Sequence, residues 1–534
     1  MKRFLQSFVF AVAALGFVYV ASGHVSASEI SVSIDNTVIF EGQTPVTACG
    51  RILVPVGDVL EGLGFNVDWN EPAQTLMLTS ANHIIIITIG SETFTTNGKE
   101  FALDVPAQII GGRAYLPIRA PLESAGFLVD WDSETNTVII TSDPFKRITP
   151  VTIATGAASS FAILADGSLW AWGRNDMGQL GDGTRTTKRF DQRLNDWTVL
   201  INNDRDTPVK IMDDVVAITA GGHHTAAIRR DGSLWTWGSN SYGQLGDGTV
   251  ISRLAPVKVL DDVIAVSAGF SHTLAIRGDG SLWAWGHNNL GQLGLADAVT
   301  GLGARNPHPA RVMDGVTAIS AGVQTSMAIT YDGGLWAWGR NDMSQLGNGI
   351  ILCSITQWDI PTPNPVRIMD GVAFVSTSQT RSLAITTDGG LYIWGFNDVY
   401  HFGMPSDFHF CMPPELHRRI ATPTHVMDGV QYAIQGGFHL TNTYIIMDNG
   451  SLVMTGGIPL GERSADNFDY SLMSNPQEIM LDVAAVSTYR FHTLAVTNDG
   501  SLWVWGNNEH GQLGDGTNAN SVSPVRILGN IMLP

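Results

Sequence analysis

The eight residues Asp-Gly-Ser-Leu-Trp-Ala-Trp-Gly at 166–173 return six more times with small changes, starting at 231, 279, 332, 388, 449 and 499. A unit repeated at 48 to 65 residues cannot bury its own apolar face and must stack on its neighbours. Residues 208–249 show the unit in full: Pro208 to Met212, "VAITAG", "HTAAI", the Asp231-Gly232 pair and "SLWTWG". These are four short β runs divided by turn residues, and Asp-Gly between two such runs predicts a two-residue hairpin with both turn positions at positive φ. Four strands at a period of about fifty make a propeller blade.

The strand period of two places Trp170 and Trp172 on one face and Leu169, Ala171 and Gly173 on the other. Bulky rings on one blade can then fill space left by small residues on the next. Eleven of the fifteen tryptophans occupy these positions, so they read as packing residues rather than a sugar-binding stripe.

The pattern Pro-x-x-[Ile/Val]-[Leu/Met] precedes six of the seven units, from Pro208, Pro256, Pro309, Pro365, Pro423 and Pro476. It is missing before the first unit, and its seventh copy, residues 524–528, follows the last. The expectation is a ring in which this C-terminal strand completes the first blade and removes the open edges. Seven units then predict a mainly β, seven-bladed β-propeller over residues 151–534.

The first third is a duplication with another period. Residues 50–80 and 112–142 align without a gap at an offset of 62, matching Arg51 with Arg113, Pro55 with Pro117, Gly64 with Gly126 and Trp69 with Trp131. Each copy reads as a strand, a helix of about two turns closed by the glycine, and two further strands. Residues 28–143 are therefore expected to form a smaller, duplicated α+β domain, joined by a linker over 144–150.

Both modules resemble known families. The paired Gly-Arg-x-x-x-Pro and Gly-Phe-x-Val-Asp-Trp stretches resemble the copper amine oxidase N-terminal-like stalk domain, which implies a spacer or envelope-attachment module. Amine oxidation itself is excluded, because the chain has no Asn-Tyr-Asp/Glu cofactor site and no His-x-His pair. "HTLAIRGDGSLWAWGHNNLGQLG" (272–294) resembles the regulator of chromosome condensation repeat, a resemblance that covers residues 151–530 and implies a seven-bladed propeller. The sixth copy, "NGSLVMTGG", departs most: it lacks both aromatics and the "GQLGDGT" arm.

The N-terminus reads as a signal peptide over residues 1–27: Lys2 and Arg3, an uncharged run from Phe8 to Ala21, and small residues at Val25-Ser26-Ala27. The expected localisation is secreted, with wall contact through the stalk domain, and no transmembrane anchor in the mature chain. A formal net charge of −19 argues against nucleic acid as a partner. Three cysteines make no disulfide framework; Cys353 and Cys411, in neighbouring inserted loops, could pair or stay as thiols.

No catalytic, cofactor or metal constellation is expected. His224, His272 and His492 head equivalent strands, but Ser159, Thr325, Arg381 and Asn442 hold the same position elsewhere, which favours a local hydrogen-bonding role. "GQLGDGT" has no Lys-Ser/Thr and opens no predicted helix, so it is a poor phosphate cradle. The informative segments are the unequal insertions at 185–207, 295–308, 348–364, 399–422 and 457–475, which should crowd one rim. They carry Trp197, Trp358, Phe408, His409, Phe410, Phe468 and Tyr470, the candidate partner-binding residues. The expected function is non-enzymatic binding of a macromolecule, a protein first. The alternatives are a secreted enzyme inhibitor, similar in build to the propeller-type β-lactamase inhibitor protein, and wall-polysaccharide binding. Guanine-nucleotide exchange, implied by the repeat family's founder, is disfavoured by the signal peptide and the acidic charge.

Overall fold

The computed structural model describes residues 30–34, 37–38, 45–48, 51–63, 65–80, 84–96, 99–111, 113–124, 127–132, 136–141, 151–191, 196–295, 300–301, 303–351, 362–396, 419–436, 442–455 and 476–533. The expected signal peptide lies outside them. The chain divides into two compact units, Met1–Arg147 and Ile148–Pro534.

In the first unit the strands of the two copies keep the offset of the sequence. Arg51–Pro55, Val56–Gly62 (helix), Asn66–Asn70 and Thr75–Thr79 correspond to Arg113–Leu116, Arg119–Glu123 (helix), Leu128–Asp132 and Thr137–Thr141. Hairpins Val46–Ala48/Arg51–Pro55 and Gln108–Ile110/Arg113–Leu116 join edge to edge into one sheet, with Leu116 opposite its own equivalent, Val54. That pairing of equivalents defines a local two-fold axis. Phe65 and its equivalent Phe127 meet across it, ring centroids 5.7 Å apart. Val59, Leu60 and Leu122 are buried in the same core, so one helix from each copy covers it. The later strands diverge. Asn66–Asn70 and Thr75–Thr79 open a five-stranded meander, whereas Thr137–Thr141 pairs in parallel with Ser31–Ile34. The expected closing glycines, Gly64 and Gly126, lie outside the described residues.

The second unit is a succession of seven four-stranded antiparallel sheets among the described residues. Sheet one holds Ile153–Thr155, Ser159–Ile163, Leu169–Gly173 and Arg205–Met212; sheet two spans Val215 to Leu260, three Val263 to Met313, four Val316 to Met369, five Val372 to Met427, six Val430 to Met480 and seven Val483 to Leu528. First strands of neighbouring sheets lie against each other and so line the axis.

Two sequence expectations are corrected here. The Pro-x-x-[Ile/Val]-[Leu/Met] strand is the last strand of the sheet before it, not the first of the sheet after: Trp170 pairs with Lys210, and Trp503 with Arg526. The C-terminal copy therefore completes sheet seven, not sheet one. The reason is the corner that follows it, a two-residue passage to the next inner strand through a left-handed residue: Asp214, Asp262, Gly315, Gly371, Gly429 and Asp482, φ 59 to 72°. The Asp-Gly hairpins also differ from the expectation. Only the glycine has positive φ (82° at Gly167), and the Gly167 N–H donates to Leu164 O, which makes a three-residue loop with a glycine bulge.

The ends nevertheless meet. Asn530, φ 62°, is a seventh left-handed corner. Ala165 N–H donates to Asn530 O (2.9 Å) as Arg230 N–H donates to Asp214 O (2.8 Å), and Ile531 N–H reaches Gly500 O as Val215 N–H reaches Gly167 O. Ile531 stands opposite Leu164, and Val215 opposite Arg229. The first strand of sheet one has three residues where sheet two has six, and Ile531 and Met532 supply its missing start.

Side chains fill the spaces between sheets as the alternation predicts. Leu169 and Ala171 pack with Val215, Ile218 and Trp237 of sheet two. Trp172, on the opposite face, packs with Leu494, Val504 and Leu513 of sheet seven.

Candidate functional site

Most polar residues of the repeat hold sheet to sheet. The second tryptophan of each motif donates its indole N–H to the backbone carbonyl of the glutamine in the preceding sheet's arm: Trp237 to Gln179, Trp285 to Gln244, Trp338 to Gln292, Trp394 to Gln345 and Trp172 to Gln512, at 2.8 to 3.0 Å. The sixth copy lacks the Gly-Gln-Leu-Gly sequence, and the indole of Trp505 in the next sheet donates instead to the Tyr444 hydroxyl at 3.1 Å. The first tryptophan is fixed within its own sheet, as where Trp170 Nε1 donates to Ser168 Oγ and Ser168 Oγ donates to Asp166.

The histidines have the same kind of role. His224, His272 and His492 are buried. Each bonds through Nε2 to a hydroxyl of the next sheet, Thr273, Ser326 and Ser160, at 2.9 Å. Those hydroxyls donate onward to the Gln244, Gln292 and Gln512 carbonyls, so Nε2 must carry the ring proton. Burial pushes His224 and His272 down to about 3 and His492 down to about 4, so all three rings are neutral. His492 and Trp172 both bridge sheets seven and one. So does the arm of sheet seven, whose Gly516 N–H donates to Asp206 O as Gly183 N–H donates to Leu254 O between sheets one and two.

The arm is a folded loop rather than a ligand cradle. Asn175, fully buried, accepts from Leu180 N–H and donates to Asp182, while Asp182 accepts from Thr184 and pairs with Arg205. Asn240/Asp247/Arg253 and, without the arginine, Asn508/Asp515 repeat it. At the same end Arg174 pairs with Asp176, which also accepts from Gln179. Burial raises the Asp176 carboxyl, but these partners outweigh it and hold the group below the usual carboxylate range. Burial, then the charge of Arg174, lowers His223 beside them.

What the repeat does not absorb is the set of insertions. All five fall in chain order between the third and fourth strands of their sheets, and most residues of the last three lie outside the described residues. The 185–207 insertion contains a separate hairpin, Thr187–Asp191 with Asp196–Ile201, in which Trp197 lies opposite Phe190. Its base is fastened by Asp204, which accepts from Thr186 Oγ1 (2.6 Å), Asn175 N–H (2.9 Å) and His510 Nδ1 (2.9 Å). Phe190, Val199, Leu200 and Ile201 are 43 to 60% exposed. Those four were missed in the sequence, though the run Val199-Leu200-Ile201 inside an insertion was a usable signal. Trp358, Phe408, His409, Phe410, Phe468 and Tyr470 lie outside the described residues, as do Cys353 and Cys411.

These sheets and their interlocks define a repeat protein of the β-propeller class. The chain belongs to the RCC1-like domain family, whose pattern matches residues 75–421, and regulator of chromosome condensation (RCC1) repeats match 483–512 and 499–531. The first match reaches back into the first unit, whereas the seven repeat sheets begin at Ile153. The chain is 26% identical to the ultraviolet-B receptor UVR8 of Arabidopsis thaliana over 397 residues, 73% of this chain and 71% of the receptor. It is 31% identical to the Arabidopsis mitochondrial RCC1 domain-containing protein RUG3 over 218 residues, 39% of this chain and 46% of that protein. Among solved structures, human WBSCR16 superposes with a TM-score of 0.55 at 22% identity, over 68% of this chain and 94% of that one. Prp20p of Saccharomyces cerevisiae gives 0.53 at 18% identity, over 71% and 88%.

Proposed function

We propose that the second unit is a closed, seven-bladed, non-enzymatic propeller that holds a protein partner on the face bearing its insertions. The observation that carries this reading is the division of labour among its residues. The repeated histidines, tryptophans, glutamines and asparagines are engaged in bonds between or within sheets, and the unequal insertions all fall between the third and fourth strands of their sheets. The family itself assigns no single activity, since function lies in what each member adds to the fold. Prp20p has binding properties toward Gsp1p and histones, which is the same general use of a propeller for holding proteins.

In this reading the chain is exported and the first unit serves as a spacer toward the cell envelope. The support is the Lys2-Arg3 start with its uncharged run, and the paired Gly-Arg and Asp-Trp motifs of the duplication. Export is tested by sequencing the N-terminus of the mature chain, which should begin near Ser28.

The partner is tested with the full mature chain immobilised against secreted protein of its source organism, beside the variant Trp358→Ala/Phe410→Ala. One protein retained in stoichiometric amount by the first and lost from the second is the expected result. A turnover activity abolished by a single rim substitution would replace the binding reading with an enzymatic one.

A further inference from the structure

We propose that the hairpin Thr187–Asp191/Asp196–Ile201 is a docking edge for an extended, acidic segment of the partner polypeptide, which adds to Asp196–Ile201 as a third strand. The proposal rests on the protein-binding reading above and gives it a place and a chemistry.

The hairpin is a two-stranded sheet, and among the described residues no third strand pairs with it. A two-stranded ribbon is marginal in water, and its outer edge offers unpaired N–H and C=O groups. Here the edge strand ends in Val199, Leu200 and Ile201, exposed by 49, 60 and 56%. Leu200 is the extra residue of a register shift, with Thr187 opposite Ile201 and Lys188 opposite Val199, so three consecutive apolar side chains are exposed at a bulged end of the edge. The last strands of sheets one and two differ: they place Lys210 and Lys258 in ion pairs with Asp213 and Asp261. The hairpin's base is rigid, since Asn203 N–H donates to Thr186 Oγ1 and Asn203 Nδ2 to Arg185 O, both at 2.9 Å. A fixed base with an open apolar edge is what strand addition requires.

Charge selects the occupant. The hairpin Thr187–Ile201 holds Lys188, Arg189 and Arg193 against Asp191 and Asp196, a net positive charge in a chain whose formal net charge is −19. A second copy of the hairpin would bring the same excess of positive charge against itself, whereas an acidic strand would be attracted. Alternating apolar and acidic residues would set the apolar row on the face that carries Val199 and the acidic row on the opposite face, which carries Arg189.

The test uses the full mature chain and two N-acetylated, fluorescently labelled octapeptides, Val-Glu repeated four times and Val-Lys repeated four times, read by anisotropy. The glutamate peptide should bind, more weakly as salt rises, and the lysine peptide should not. The variant Leu200→Asp/Ile201→Asp should lose at least about tenfold in affinity, and Lys188→Glu/Arg189→Glu should do the same, while Val522→Asp on the exposed outer strand of sheet seven should not. An unchanged unfolding midpoint shows that each variant is folded. Equal binding of the two peptides, binding of neither, or full affinity in both hairpin variants overturns the proposal. A dimer that the Leu200→Asp/Ile201→Asp variant converts to monomer also overturns it, by making the occupant a second copy. If that variant still retains the stoichiometric partner, this proposal fails and the binding face stands.

Discussion

Ile531 pairs with Leu164 across more than three hundred and fifty residues of chain, in the position that Val215 takes beside Arg229. The C-terminus thus supplies the first residues of the innermost strand of sheet one, and the two ends share that strand. Ile531 is 3% exposed and packs with Ile153, Ala162 and Val496, so it adds apolar burial to the backbone bonds. Ile531→Ala should cost about 2–4 kcal/mol, whereas Val522→Ala, at a site 61% exposed, should cost under about 0.5 kcal/mol. Urea denaturation of both variants checks this. Equal midpoints would show that the shared strand does not hold the ring.

The three buried histidines predict a pH dependence. Their rings titrate near 3 to 4 in the fold and near 6.5 when unfolded, so between those values only the unfolded chain takes up the proton. Stability should be level above about pH 6.5 and fall as the pH drops toward 4, by at most about 1.4 kcal/mol per pH unit for each ring. His223 and His287 are lowered as well and act in the same direction. His272→Gln keeps an N–H donor for Ser326 and removes one titrating ring, so its stability between pH 6 and 4.5 should fall less steeply than that of the parent chain. Parallel profiles would mean that His272 is charged in the fold.

The number of four-stranded units and the face each tryptophan takes were legible because both are periodic. The duplication was legible for the same reason: Val54 and Leu116 are 62 residues apart in sequence and opposite each other in the sheet. The strand holding Lys210 was assigned to the wrong sheet, because one sequence shows a strand between two neighbours without saying which it bonds. The cue was connection length. Met212 to Val215 is a tight corner, while Gly173 to Arg205 admits an insertion, and the corner residues Asp214, Asp262, Asp482 and Asn530 mark the cut. The partners of Trp172 and His492 were not legible, since Gln512 O and Ser160 Oγ are brought to them only where sheets seven and one meet.

Tyr444 takes the acceptor role that a glutamine carbonyl has for the other second tryptophans. Its hydroxyl accepts the Trp505 indole N–H inside the contact between sheets six and seven, where Trp505 is fully buried and the rings meet edge to face at 5.8 Å. Tyr444→Phe removes the acceptor and leaves the ring contact, so the indole N–H is buried without a partner. The expected loss is about 1–3 kcal/mol. Tyr444→Phe in a chain already carrying Trp505→Phe should cost less, because the indole donor is no longer there to be stranded, and only the hydroxyl's bonds to Thr493 and Asn442 are lost. A double-mutant cycle measured by urea unfolding gives the coupling, and a value near zero would assign the stabilisation to ring packing alone.

Two glycines of the arms separate backbone strain from close packing. Gly514 and Gly183 both hold positive φ, 73° and 82°. A Cβ on Gly514 would lie 2.7 Å from Nε1 of the buried Trp172, whereas a Cβ on Gly183 would have nothing within 4 Å. Gly183→Ala should therefore cost only the left-handed conformation, about 1–2 kcal/mol. Gly514→Ala adds a clash with a ring held by sheets one and seven and bonded to Gln512, and it should cost clearly more, by at least about another 2 kcal/mol. The shift should also appear in the tryptophan fluorescence of the folded chain, because the indole must move away from its carbonyl acceptor. Equal losses in the two variants, with unchanged fluorescence, would show that the arm of sheet seven yields to the new methyl group and that its contact on Trp172 is not what closes the ring.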